Sequence, residues 1–264
     1  MSTAAQRNNA RIVGEGRHTL VLAHGFGTDQ TVWRHVLPEL MRDNRVVLFD
    51  HVGAGGSDFD AYSPRRYQSL YSYATDMLEL LSELDINDAV YVGHSMSGMI
   101  GLLAAKLEPE RFQRAVVIGA SPRYLDDIGY QGGFTQAGLE RLYNAMATSF
   151  HAWASGAAPL FMGNPDRAEL AIEFAKALSA VRPDIGLSMA RMVFQSDHRA
   201  DLPDIEVPTL VVQTKADIVV PLEAGEFLAK TLQRGELRVI EADGHLPHLS
   251  APREVITAIR SVLN

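Results

Sequence analysis

Val90-Tyr91-Val92-Gly93-His94-Ser95-Met96-Ser97-Gly98 decides how the rest of the chain is read. Three strand-forming residues lead into Gly-His-Ser, and a helical pattern starts directly behind, over about Ser97 to Leu107. A strand that turns this sharply into a helix lifts the serine at its apex out of the sheet. There the hydroxyl can meet a substrate, and the helix N-terminus favours negative charge developing beside it. Small residues must flank such a turn, because strand and helix approach closely. Gly93 meets that need on one side. On the other, Ser97 stands where a second glycine is usual, and it is small enough for the turn to survive. A serine in an ordinary strand-to-helix loop would look much the same, so the stretch needs support from the rest of the chain.

The bulk properties narrow the classes. The chain has 264 residues, 47% hydrophobic and 21% charged, as expected of a globular protein able to bury a large core. A net charge of −8 and the lack of a basic patch argue against nucleic acid and against an anionic membrane surface. There is no cysteine, which removes disulfides, thiolate catalysis and cysteine-based zinc sites. The first ten residues are mostly polar and lack the apolar centre of a signal peptide. No apolar run is long enough to span a bilayer. The expectation is a cytoplasmic protein. The nine histidines are scattered, and no His-x-x-x-His or carboxylate cluster points to a catalytic metal, so neither metal nor cofactor is expected.

Outward from the turn, strands and helices alternate. Short strands are expected at Arg11 to Gly14, Thr19 to Ala23, Arg45 to Phe49, Ala89 to Val92 and Ala115 to Gly119. Helices are expected over Thr31 to Arg42 and Tyr67 to Leu84, the second with Leu70, Tyr73, Met77, Leu78, Leu81 and Leu84 on one face. Continuous apolar strands alternating with helices imply a mostly parallel sheet covered on both faces. The Gly-rich stretch Asp50 to Asp58 lacks the lysine and the spacing of a phosphate loop and reads as turn chemistry. From about Tyr124 to Asp197 the strands stop. Four helical stretches replace them, near Thr135 to Phe150, His151 to Met162, Arg167 to Val181 and Asp184 to Gln195. An all-helical insertion in such a chain reads as a lid that excludes water and shapes a pocket. The alternation resumes with a strand at Thr209 to Gln213, a helix at Leu222 to Leu232, a strand at Leu237 to Glu241 and a helix at Pro252 to Leu263. The expected organisation is therefore a core over residues 1–123 and 198–264, with a lid over residues 124–197.

A serine hydroxyl is a weak nucleophile until a base removes its proton and a carboxylate orients that base. The turn at Ser95 resembles the nucleophile elbow of α/β-hydrolases, in which serine, acid and histidine follow in that chain order on loops after strands. The sequence offers one good candidate at each place: Ser95, Asp217 after the Thr209–Gln213 strand, and His245 after the Leu237–Glu241 strand. His24-Gly25-Phe26-Gly27 follows the Thr19–Ala23 strand, which assigns one oxyanion donor to the Phe26 N–H and the other to Met96. The rivals fit less well. His248 reads as structural, His24 as a brace for the oxyanion loop, and His94 as a residue beside the pocket. Asp243 is too close in sequence to His245, and Asp50 serves as the acid only if Asp217 is misplaced. The expected fold class is thus α/β, an α/β-hydrolase fold with a four-helix lid.

Longer stretches narrow the resemblance. Leu22-Ala23-His24-Gly25-Phe26-Gly27-Thr28-Asp29-Gln30, Gly93 to Gly101, Gly244-His245-Leu246-Pro247-His248-Leu249-Ser250, Ser121-Pro122-Arg123-Tyr124-Leu125, Gly132-Gly133-Phe134 and Ser196-Asp197-His198-Arg199 resemble the RsbQ and strigolactone/karrikin receptor branch. That resemblance implies a slow receptor-type serine hydrolase. It would bind and cleave a small hydrophobic ester or butenolide-like lactone and couple the event to a signalling protein partner through the lid. Beside His94, it implies pocket walls from Phe134, Leu142, Trp153 and Phe194, and nuclear as well as cytoplasmic residence for a plant-type receptor. The glycine pattern of Asp50 to Asp58 resembles the bacterial form, whereas Ser97 resembles the plant receptors, so the chain reads as RsbQ-like or as an early-diverging receptor-like relative. Ala157, Gly186 and Ser188 are small where many plant receptors are bulkier, which by the same resemblance implies a roomier or differently shaped pocket. A metabolic carboxylesterase or lactonase with no partner shares every one of these catalytic residues and is the alternative.

Overall fold

Buried apolar strands build the frame that carries the turn. The computed structural model describes residues 2–263. Its strands are β1 (Arg11–Val13), β2 (His18–Ala23), β3 (Asn44–Phe49), β4 (Ala89–His94), β5 (Phe112–Ile118), β6 (Thr209–Ala216) and β7 (Gly235–Asp243). They form one sheet in the order β1-β3-β2-β4-β5-β6-β7. β1 pairs antiparallel with β3, and every other pairing is parallel. Leu20–Ala23, Val46–Phe49 and Val90–Val92 are buried, as central strands covered on both faces must be. The C-terminal ends of β4, β6 and β7 lie on one edge of the sheet, so the loops after them meet there.

The helices are α1 (Ala4–Arg7), α2 (Leu37–Leu40), α3 (Leu70–Glu83), α4 (Met96–Leu107), α5 (Gln136–Thr148), α6 (Phe150–Met162), α7 (Ala168–Ser179), α8 (Pro183–Phe194), α9 (Leu222–Thr231), α10 (Pro247–Ser250) and α11 (Pro252–Ser261). α4 packs on β4 and β5, α3 packs on α4, and α9 packs on β6 and β7. Among the described residues no helix is long and apolar enough to cross a membrane.

One expected helix does not form as a unit. Thr31 to Arg42 is divided into a 3-10 turn, Gln30–Trp33, and the four-residue α2. Pro38 explains the break, because it has no N–H to give and its ring would crowd the carbonyl of Arg34 in a continuous helix. The apolar side is buried regardless: Val32, Trp33, Val36 and Leu40 all sit in the core.

α5 to α8 are inserted between β5 and β6, as four consecutive helices with no strand between them. The two ends of the insertion run side by side. His198 N–H donates to Pro122 C=O at 2.8 Å, and Arg123 Nη1 meets Asp197 Oδ2 at 2.7 Å. Arg199 Nη2 reaches Asp127 and Asp197, each at 2.7 Å, and its guanidinium lies 5.0 Å from the Tyr130 ring centroid.

Candidate active site

At Ser95 the backbone takes φ 54° and ψ −123°, a conformation that costs a side-chain-bearing residue energy and is kept only when the surroundings impose it. Ser95 N–H donates to Ile118 C=O of β5 at 2.8 Å, and Gly98 N–H donates back to Ser95 C=O at 2.9 Å. Close approach makes glycine necessary at 93, where a Cβ would stand 2.5 Å from the Ser97 carbonyl oxygen. Ser97 does more than stay small. Its hydroxyl donates to the His24 carbonyl and accepts from His51 Nε2 at 2.7 Å, while its own carbonyl accepts from Tyr91 OH at 2.6 Å. His24 in turn accepts from His51 N–H at 3.1 Å and donates from Nδ1 to Gly25 C=O at 2.9 Å. The sequence signal for this bracing was the departure from glycine at 97. Ser97 and His51 resemble a second nucleophile–base pair, but the hydroxyl proton is committed to a carbonyl and both side chains are buried.

Three loops bring Ser95, His245 and Asp217 together. Ser95 Oγ lies 2.8 Å from His245 Nε2, and His245 Nδ1 lies 2.7 Å from Asp217 Oδ2. The other carboxylate oxygen of Asp217 accepts from Val219 N–H at 2.8 Å and Val220 N–H at 3.2 Å, which fixes its direction. A carboxylate only accepts, so Nδ1 carries the imidazole proton and Nε2 offers its lone pair to the serine O–H. The His245 backbone is held on both sides: its N–H donates to Phe161 C=O at 2.8 Å, and its carbonyl accepts from His94 Nε2 at 2.7 Å. Among the described residues, the N–H groups of Phe26 and Met96 have no protein acceptor, so both donors are free for a ligand oxygen.

Asp50 lies elsewhere. It is buried and accepts from Gln30 N–H at 2.8 Å, Asn9 Nδ2 at 2.7 Å and Gly56 N–H at 2.9 Å, which makes it the anchor of the Gly-rich loop. His248 is fully buried, with its ring 4.9 Å from Trp33 and 4.4 Å from His94, and burial pushes its pKa down to about 3.

Above Ser95 the inserted helices and the loops at the sheet edge line a narrow apolar cavity. His94 and Phe194 line it, together with Phe26, Phe161, Phe174, Leu178 and Leu246. Phe134 and Trp153 stand one layer further out. The Phe134 ring packs on Phe194 with centroids 5.2 Å apart, and Trp153 packs on Phe26 at 6.5 Å and Phe150 at 5.4 Å. Leu142 is half-buried against the core and does not reach the cavity wall. Of the two expectations for the pocket, a roomier one is not what the structure has. Only about 20 Å³ is open to the centre of a water molecule, little more than one ordered water needs. Gly186 gives no extra space, since a Cβ there would stand 2.6 Å from the Phe150 ring. Phe174 and Leu178 escaped sequence reasoning because the inserted helices are apolar on more than one side, and periodicity does not show which side turns to Ser95. Tyr124 also lines the cavity. Its hydroxyl is buried and unpaired among the described residues, and burial, with the Asp217 carboxylate nearby, holds its pKa above the usual phenol range. Its position in the first loop after β5, at the ligand-binding edge of the sheet, was the available signal.

A sequence profile described as alpha/beta hydrolase family matches residues 20–258. The chain is 44% identical to the Karrikin insensitive 2 receptor CA of Petunia hybrida, over 98% of this chain and 96% of that protein. It is 42% identical to the Strigolactone esterase D14 of Arabidopsis thaliana, over 97% of this chain and 96% of that protein. Among solved structures, a hydrolase from Oleispira antarctica superposes with a TM-score of 0.95 at 35% identity, covering 98% of this chain and 95% of its own.

Proposed function

This chain belongs to the α/β-hydrolase family, in its strigolactone/karrikin receptor branch, and on that premise we propose that it is a receptor-type serine hydrolase. It binds a small hydrophobic ester or butenolide-like lactone, cleaves it slowly, and couples the event to a signalling partner through the lid. The observation that carries this reading is the hydrogen-bonded line Ser95–His245–Asp217 at the floor of a narrow apolar cavity. Receptor and esterase names on relatives that match nearly the full chain support it.

In the reaction, Ser95 Oγ attacks the carbonyl carbon while its proton passes to His245 Nε2. The imidazolium is stabilised by Asp217. The Phe26 and Met96 N–H groups, which have no protein acceptor among the described residues, receive the oxyanion. The tetrahedral species collapses with loss of the alkoxy or enol oxygen, which takes the proton from His245. For a lactone this opens the ring and leaves the oxygen tethered to the acyl-serine. Where the ring carbon also carries an enol ether, that oxygen becomes an aldehyde carbonyl and the enol is expelled with the proton from His245, so the shorter acyl fragment stays on Ser95. Water, deprotonated by His245, then hydrolyses the acyl-serine and regenerates the enzyme. Residues 124–197 act as the lid and residues 1–123 and 198–264 as the core. Because the cavity is nearly filled by side chains, ligand entry must displace lid residues such as Phe174 and Leu178, which fits slow turnover and ties occupancy to lid position.

The test is pre-steady-state product release from a butenolide enol ether and, separately, from an aryl acetate. The reading predicts a burst near one equivalent followed by slow turnover on the butenolide. Many rapid turnovers on the aryl acetate, with indifference to the butenolide, would favour a metabolic esterase.

A further inference from the structure

We infer that His94 is a positioning residue for the catalytic histidine: it holds the His245 carbonyl through its Nε2–H and spaces the oxyanion loop from the acid–base loop. This rests on the reading of Ser95, His245 and Asp217 as the catalytic line.

The geometry is specific. His94 Nε2 lies 2.7 Å from the His245 carbonyl oxygen. A carbonyl only accepts, so Nε2 carries the proton and Nδ1 is bare. Nδ1 is buried with no partner among the described residues. That is tolerable for a bare acceptor, whereas an unpaired N–H or a full charge there would cost more. Burial, with His248 and His245 alongside, accordingly lowers its pKa well below the usual value. The ring also fills the space between loops. A Cβ at Gly25 would stand 2.5 Å from His94 Nδ1, so glycine is needed at 25 for the oxyanion loop to lie against the imidazole. On the other side the rings of His245 and His248 lie 4.9 Å and 4.4 Å away.

His245 is therefore clamped twice along its backbone, by the Phe161 carbonyl from α6 and by His94 from the elbow itself. The second clamp joins the base to the element that carries the nucleophile. A loop freed from it can drift, and a misplacement of about 1 Å costs on the order of a hundredfold in rate.

The test compares His94→Leu, which keeps bulk without a donor, with His94→Gln, whose amide N–H can replace Nε2–H. Ser95→Ala runs alongside. The expected result is a loss of at least about tenfold in kcat for His94→Leu with KM within about twofold, and recovery to within about threefold of the parent for His94→Gln. Equal losses in the two variants, or no loss in either, would overturn the clamp and leave only packing. Retained hydrolysis in Ser95→Ala would instead sink the catalytic assignment, so the two failures are distinguishable. If His94→Leu does not fold, ¹⁵N-histidine NMR of the unaltered protein decides. A neutral His94 with its proton on Nε2 is expected between pH 6 and 8, and a proton on Nδ1 would overturn the inference.

Discussion

At the scale of single residues, neighbouring groups of like chemistry have different tasks. Ser95 and Ser97 are two positions apart, yet one faces a cavity with a lone pair aimed at its proton and the other is bound on both sides in the core. Ser95→Ala is expected to lower kcat by at least about 10³-fold with the melting temperature nearly unchanged, and Asp217→Asn by about 10³- to 10⁴-fold. Both are checked by initial rates on one aryl ester. Asp50→Ala leaves buried donors at Gln30, Asn9 and Gly56 without an acceptor, so a loss of about 3 kcal/mol or more is expected in urea unfolding. The folded fraction should keep its rate, and a loss of rate without loss of stability would reopen Asp50 as the acid. Ser95, Asp217 and His245 were legible because the chemistry fixes residue type, chain order and the preceding strand together. Phe174 and Leu178 were not, because an apolar side chain on an inserted helix looks the same whether it meets ligand or another helix.

At the scale of elements, α6 links the lid to the base. Its last residues deliver the Phe161 carbonyl to His245 N–H, and Gly163 closes the helix at φ 61° with a position for a Cβ only 2.9 Å from Gly244 Cα. Gly163→Ala should therefore cost about 1–2 kcal/mol from the left-handed backbone and also slow catalysis by pressing on the His245 loop. Thermal unfolding and kcat measured together check both parts, and a stability loss with unchanged kcat would separate α6 from the base. Movement of the lid predicts that butenolide binding alters hydrogen exchange in α5 to α8 while β2, β4 and β5 stay protected. Uniform protection would argue against a coupling lid. The sequence also showed its reach at this scale. Helices α5 to α8 were legible from punctuation by Gly and Pro. Thr31 to Arg42 was not a single helix, since its apolar spacing outweighed Pro38 in the reading but could not supply the missing N–H in the fold.

For the whole molecule, the buried histidines set the response to acid. His24, His51, His94 and His248 are all buried, and burial lowers the pKa of each, His248 to about 3. The unfolded chain takes up these protons below about pH 6.5 while the folded chain does not. Stability is therefore full well above pH 6.5 and falls as pH drops through about 6.5 towards 3. Each histidine contributes a slope of up to about 1.4 kcal/mol per pH unit. Urea unfolding at pH 8, 6.5 and 5.5 should show a modest loss over the first step and a steeper one over the second, and a flat profile would contradict neutral burial. The net charge of −8 plays no part in the site, whose walls are apolar and whose chemistry lies in three loops at one edge of the sheet. The central claim is that Ser95, activated by His245 and Asp217, cleaves a small lactone slowly inside that narrow cavity. Its most direct test is the intact-protein mass after incubation with a butenolide enol ether, for the unaltered chain and for Ser95→Ala. The account predicts a lingering adduct of one ligand fragment on the unaltered chain and none on Ser95→Ala. An adduct of equal extent on both, or turnover by Ser95→Ala, would contradict it.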